Sequence, residues 1–196
     1  KQYPIFCRKK DSLNAPEEIL LDQNALAENN DFCSVGAFAI SPDGTKLAYS
    51  VDLEGAEVYT LYIKDLTSGS LFLEQIVNIV GSVYYRFGVE WANDNKTLFY
   101  ILLDETHRAC KLFLHKLGTN PADDMLIFYE EDDTYSLSLY KTRSKRYVML
   151  YHHNTLTQEI RFLSADKPEA GLSILRPREH GIEYYATHHD DSFFII

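Results

Sequence analysis

Residues 38–66 read FAISPDGTKLAYSVDLEGAEVYTLYIKDL. Apolar and polar side chains alternate on either side of Ser41-Pro42-Asp43-Gly44, the pattern of two strands joined by a tight turn. Pro42 presets φ for that turn, and Gly44 supplies the position that needs φ > 0. A further strand-like run, Glu57–Lys64, follows the loop Leu53-Glu54-Gly55.

The same turn recurs along the chain. Residues 91–100 (WANDNKTLFY) repeat residues 40–49 (ISPDGTKLAY), with Asn95 expected in the left-handed position that Gly44 holds. Residues 139–148 (LYKTRSKRYV) are a looser third copy and residues 188–195 (HHDDSFFI) a fourth. The anchors Leu47, Leu98, Tyr147 and Phe193 stand 51, 49 and 46 residues apart. Periods of about 40–50 residues with several strands in each repeat indicate propeller blades. A solenoid of stacked helices fails as an alternative, because no repeat holds an apolar stripe of helical period long enough for paired helices.

Each repeat fills with strands. The first takes Val35–Ile40, Lys46–Asp52, Glu57–Lys64 and Leu71–Ile76; the second Phe87–Trp91, Thr97–Leu103, Lys111–Leu117 and Met125–Tyr129. The third takes Ser136–Tyr140, Tyr147–His152, Glu159–Leu163 and Leu172–Leu175. Ahead of them, Tyr3–Arg8 and Glu18–Asp22 read as strands and Asn24–Glu28 as one helical turn. The expected fold is all-β, a partial β-propeller of about three four-stranded blades with parts of two others. Residues 1–34 are expected to end a preceding blade and lead into residues 35–196, consecutive blades of which the last is cut short. Propellers close on themselves with about four to eight blades. The chain therefore reads as part of a larger ring, with blade edges that could drive self-association.

Composition agrees with a globular β-protein. Hydrophobic residues make up 45% and charged residues 24%, with 14 Tyr and 11 Phe, and such aromatic side chains favour pleated surfaces. A formal charge of −10 argues against nucleic acid, which requires a concentrated basic face. No apolar run reaches the roughly 18 residues of a membrane span. Cys7, Cys33 and Cys110 are odd in number and widely spaced, which fits a reducing cytoplasm and small packed side chains.

The residues also carry a family likeness. Residues 3–8 (YPIFCR), 15–22 (APEEILLD), 41–44 (SPDG), 48–52 (AYSVD), 59–62 (YTLY), 91–100 (WANDNKTLFY), 104–108 (DETHR) and 177–179 (PRE) resemble, in order, the propeller domain of prolyl oligopeptidase relatives. The oligopeptidase B (protease II) branch is the most similar, and residues 152–158 (HHNTLTQ) depart from the pattern. The resemblance implies a seven-bladed propeller capping an α/β-hydrolase domain. There a Ser-Asp-His triad cuts short peptides, after Arg or Lys in this branch, while the propeller limits substrate size.

No catalytic residue of that kind is expected within the chain. The nucleophile elbow G-x-S-x-G is absent, since Gly69-Ser70 and Gly81-Ser82 lack the second glycine. No cofactor is implied. No metal is expected either, because the adjacent pairs His152-His153 and His188-His189 would point to opposite faces of a strand. The acidic run Glu130-Glu131-Asp132-Asp133 reads as a solvated loop between blades, or as a contact for a cation or basic peptide. Glu57 is the residue singled out by the resemblance. In the matching Gly-x-Asp/Glu context, relatives hold an acidic residue that faces the catalytic domain and makes charged contacts near the substrate. Glu57 is accordingly expected either as an interdomain ion-pair partner or as a solvated strand-end carboxylate, with Gly81 and Ser82 bordering the same interface.

The expected function is thus the gate and filter of a cytoplasmic serine oligopeptidase whose partner is a peptide held by the hydrolase domain. The alternatives are a non-catalytic interaction module and the propeller of a related esterase.

Overall fold

The turn at Ser41–Lys46 shows why the sheets fold as they do. Ser41 N–H donates to the Lys46 carbonyl (2.9 Å) and Gly44 N–H to the Ser41 carbonyl (2.8 Å). The Asp43 carboxylate accepts from the Ser41 hydroxyl and from the backbone and hydroxyl of Thr45. Gly44 has φ 72°, and Asn95 (60°), Lys145 (63°) and Asp190 (50°) take the same left-handed geometry in the later copies. The backbone therefore repeats even where the residue type does not. This is a computed structural model, and it describes residues 2–81 and 88–196.

Strands β1 (Ile5–Lys9) and β2 (Glu17–Asp22) form an antiparallel hairpin followed by helix α1 (Gln23–Leu26). The Asp22 carboxylate caps α1 by accepting from Asn24 N–H (2.9 Å). The first meander is β3 (Ser34–Ile40), β4 (Lys46–Asp52), β5 (Tyr59–Asp65) and β6 (Leu71–Ile79), paired in that order. The second is β7 (Val89–Trp91), β8 (Thr97–Leu103), β9 (Ala109–Lys116) and β10 (Met125–Tyr129). The third is β11 (Ser136–Lys141), β12 (Tyr147–His153), β13 (Gln158–Ser164) and β14 (Ser173–Arg176). A hairpin of β15 (Ala186–His189) and β16 (Ser192–Ile195) follows.

The architecture is the nearly all-β, partial-propeller fold expected from the repeats, with some boundaries moved. Lys46–Asp52, Thr97–Leu103 and Met125–Tyr129 stand as read. The third strand of the first meander starts at Tyr59 rather than Glu57, and β6 extends to Ile79 rather than stopping at Ile76. The helical turn begins one residue early, at Gln23, and Phe87 lies outside the described residues.

The meanders pack face to face. Leu98 and Tyr100 of β8 meet Leu61, Ile63 and Ile76 of the first sheet, together with Trp91. Phe99 and Ile101, on the opposite face of β8, meet Leu137, Leu139, Val148 and Leu150 of the third. Both faces of β8 are dry, which explains its continuous apolar run; each such side chain contributes about 1.5–3 kcal/mol when fully buried. Among the described residues, the ladders of the first and second meanders are joined by the pair Ile79 and Leu102 and by Val80 N–H donating to the Ile101 carbonyl (2.9 Å).

Successive strands reverse direction, so the connections fall at two ends. The β3–β4, β7–β8 and β11–β12 turns share one end, the turn end. The β4–β5, β8–β9 and β12–β13 loops share the other with the links from each meander to the next; this is the loop end.

Candidate functional site at the loop end

Buried Asp52 builds the loop that carries Glu57. Its carboxylate accepts the backbone N–H groups of Glu54, Gly55 and Glu57, each at 2.9 Å. Glu57 is exposed with φ 58°, a left-handed conformation that a non-glycine residue adopts at a cost. It belongs to the loop before β5, not to the strand. Among the described residues its carboxylate has no ion-pair partner.

Gly81 has a steric role. The Tyr59 ring lies between Gly36 and Gly81, and a Cβ at Gly36 would approach it to 2.8 Å. A Cβ at Gly81 would fall well inside van der Waals contact of the same ring, near its Cγ. The ring cannot swing aside toward Gly36, and its hydroxyl is shared with Ser34 Oγ at 3.0 Å. Gly81→Ala should therefore cost about 1–3 kcal/mol through overpacking. The check is the urea midpoint, with Gly69→Ala, where a Cβ meets nothing but φ is 79°, as the strain-only comparison. Equal losses in the two variants would deny the clash. Ser82 lies outside the described residues.

Further round the same end is a buried charge cluster. Glu130 follows β10, and its side chain is 6% exposed. It accepts from Arg178 Nη2 (2.6 Å) and from His152 Nδ1 (2.8 Å). Glu159, at the start of β13 with a side chain 5% exposed, accepts from Arg161 Nε (2.8 Å) and Arg178 N–H (3.0 Å). The Arg178 guanidinium stacks 4.1 Å above the Tyr135 ring, and that of Arg161 4.4 Å above Phe128. Arg108 Nη1 donates to the carbonyls of Glu130, Asp132 and Tyr135 at 3.0–3.1 Å. One guanidinium thereby fixes the link between the second and third meanders.

This corrects the reading of the acidic run. Glu131, Asp132 and Asp133 are exposed, but Glu130 is buried and paired. Burial opposes its charge, yet hydrogen bonds from Arg178 and His152 outweigh that and hold its pKa below the ordinary carboxylate value. Arg161 and the Arg178 N–H do the same for Glu159. No sequence signal would have paired Glu130 with a residue 48 positions away.

The histidine pairs alternate as strand geometry requires. His152 and His188 are buried, while His153 and His189 are exposed. His188 Nδ1 shares a hydrogen bond with Ser144 Oγ at 2.9 Å, and buried His115 reaches Asp124 through Nδ1 at 2.8 Å. Burial pushes the His152 pKa below its ordinary value, and its Nε2 is enclosed without a hydrogen-bond partner. Among the described residues no group of three or more His, Cys, Asp or Glu side chains is gathered as a metal site. The three cysteines are free, with Cys33 and Cys110 buried. Among the described residues no helix is long and apolar enough to cross a membrane.

Comparison with known proteins gives one family. The model for the prolyl oligopeptidase N-terminal beta-propeller domain matches residues 1–196. The chain is 36% identical over 201 residues to Protease 2 of Moraxella lacunata, covering 100% of this chain and 29% of that protein. It is 31% identical over 211 residues to dipeptidyl aminopeptidase BI of Pseudoxanthomonas mexicana, covering 100% and 28%. The structure of oligopeptidase B from Leishmania major superposes with a TM-score of 0.84 at 29% identity, covering 97% of this chain and 26% of that one. The chain spans less than a third of the length of these relatives.

Proposed function

Since this chain belongs to the prolyl oligopeptidase N-terminal β-propeller family, we propose that it is the gate and substrate filter of an oligopeptidase of the B type. In this reading the chemistry, acyl transfer from short peptides after Arg or Lys, is done by a Ser-Asp-His triad in an α/β-hydrolase domain of the complete protein. The loop end of the propeller faces that domain. The observation that carries the proposal is the likeness to Protease 2, which extends over 100% of the chain at 36% identity. The buried free thiols Cys33 and Cys110 support a reducing, cytoplasmic setting.

The loop end suits such a role physically. Its exposed charges include Glu54, Glu57, Glu105, Glu131, Asp132 and Asp133, whereas Arg108 and Arg178 are engaged internally. A field of that sign draws cationic peptides over about a Debye length. Glu57, held by Asp52 in a fixed loop, is the proposed ion-pair partner across the interface, and Gly81 borders it.

The complete protein should cleave short peptides after Arg or Lys, and much more slowly where Gln replaces the basic residue. The 196-residue chain alone should turn over none of them. Hydrolysis of short-chain esters without peptide cleavage would favour an esterase, and inertness toward both an interaction module. Measurable peptidase turnover by the isolated chain would overturn the division of labour.

A further inference from the structure

Each side of the boundary between the second and third meanders is braced internally at the loop end. On one side Arg108 ties residues 130–135 into a single unit through three carbonyls. On the other, Glu159 holds Arg161 and the Arg178 backbone, while Ile160 N–H donates to Tyr184 Oη (2.8 Å) and Gln158 N–H to the Ile182 carbonyl (3.0 Å). Among the described residues, the hydrogen bonds that cross between these units, Arg178 to Glu130 and His152 to Glu130, converge on one oxygen, Glu130 Oε2. At the turn end the two meanders are tied separately, by Asn93 Nδ2 to the Lys145 carbonyl (2.9 Å) and by Lys141 Nζ to the Trp91 carbonyl (2.8 Å).

Bonds at one end and, at the other, one shared oxygen flanked by the Arg161–Phe128 and Arg178–Tyr135 ring contacts make a hinge and a catch. We propose that the Glu130–His152–Arg178 cluster is a latch that closes the loop end between the second and third meanders, and that proton uptake by His152 releases it and so regulates peptide admission. The regulatory half rests on the gate reading given above.

The chemistry of the trigger follows from the surroundings of His152. Glu130 faces it from the link after β10, Glu159 and Arg161 from β13, and Arg178 from the segment after β14 through their shared carboxylate. The Phe128 ring meets its edge, with centroids 4.6 Å apart. Neutral His152 donates its Nδ1 proton to Glu130 and leaves Nε2 bare. A second proton would place an N–H and a charge at enclosed Nε2, where no acceptor stands. The closed cluster accordingly resists protonation, in line with the depressed pKa. The sign is that of a base depressed on folding. Latch stability is complete above the ordinary histidine value of about 6.5 and is lost as pH falls below it.

Hydrogen exchange on the complete protein tests this without requiring activity. Segments 128–136 and 176–184, corrected for intrinsic rates, should open about tenfold more often for each unit by which pH falls below 6.5 and towards the depressed pKa. The turn at Ser41–Lys46 serves as the internal control. His152→Asn, whose Nδ2 can still donate to Glu130, should abolish the pH dependence. Arg178→Lys should open both segments at either pH, so the proposal stays testable if the asparagine variant folds poorly. Segments no more open at acid pH than the control, or a dependence that survives in His152→Asn, would overturn the latch. With the latch seen in exchange, a His152-dependent shift of KM for longer peptides with kcat unchanged supports regulation of admission. An unchanged KM overturns that half. Absence of cleavage of any peptide sinks the gate reading and leaves the exchange result standing.

Discussion

Arg178→Met should destabilise the protein by about 2–3 kcal/mol, short of the loss at a fully buried ion pair because the Arg178 side chain is 29% exposed. Methionine keeps the aliphatic stem but removes both the ion pair and the guanidinium's contact with the Tyr135 ring. What remains is the Glu130 carboxylate, 6% exposed, with neutral His152 as its side-chain donor. Glu159 fares better because Arg161 still holds it at 2.8 Å. The pKa of Glu130, now held low, should rise in the variant, so that its deficit against the wild type shrinks on acidification. Glu130→Gln in the Arg178→Met background should recover part of the loss, since an amide costs far less to bury than a carboxylate. A double-mutant cycle on urea midpoints at neutral pH measures the coupling. A loss below about 1 kcal/mol would rank the pair with ordinary surface bridges and remove the basis of the latch.

How much of this could be read from the sequence depended on whether the cause was local. The turn at Ser41–Lys46 is closed by its own residues, so Pro42, Asp43 and Gly44 announced it, and Asn95 was legible as the stand-in for Gly44. Lys145 takes the same φ without being a turn former, so spacing alone pointed to it, whereas Asp190 is of a residue type that tolerates this geometry. Strand alternation set His152 and His153 on opposite faces, and only the packed structure showed that His152 is the inward one. Glu57 was misplaced on a strand because its conformation is set by Asp52, five residues earlier, and a carboxylate capping three N–H groups has no simple signature. Gly81 was singled out for an interface, but its closest constraint is the ring of Tyr59. Glu130 was misread for a deeper reason. An acidic run looks solvated unless its partners are known, and they arrive from β12 and from beyond β14 only after the third meander packs.

A second large effect is expected at Glu90, in β7. Its carboxylate accepts from the Lys141 N–H of the neighbouring meander at 3.0 Å. Burial drives its pKa up to about 7 from 4.5, against the pull of the Lys141 N–H and the charges of Lys141 and Lys145. The sign is that of an acid raised on folding. Between pH 4.5 and 7 the native state keeps a proton that the unfolded chain has released, so stability falls as pH rises through that window and is lowest above it. The span corresponds to roughly 3 kcal/mol, reduced toward about 1 kcal/mol by the partial exposure of the side chain. Glu90→Gln preserves an oxygen for Lys141 N–H and carries no charge. It should be more stable than the wild type above pH 7 by about 1–3 kcal/mol and indistinguishable from it below pH 4.5. His152 titrates in part of the same window with the opposite sign, so the difference between variant and wild type, rather than either curve, is the quantity to follow. Trp91, the one tryptophan of the chain and 2% exposed beside Glu90, reports unfolding by its emission. A difference that stays constant from pH 4 to 8, within about 0.5 kcal/mol, would mean that Glu90 binds its proton equally in the folded and unfolded chain, with the Lys141 N–H and the Lys141 and Lys145 charges compensating its burial.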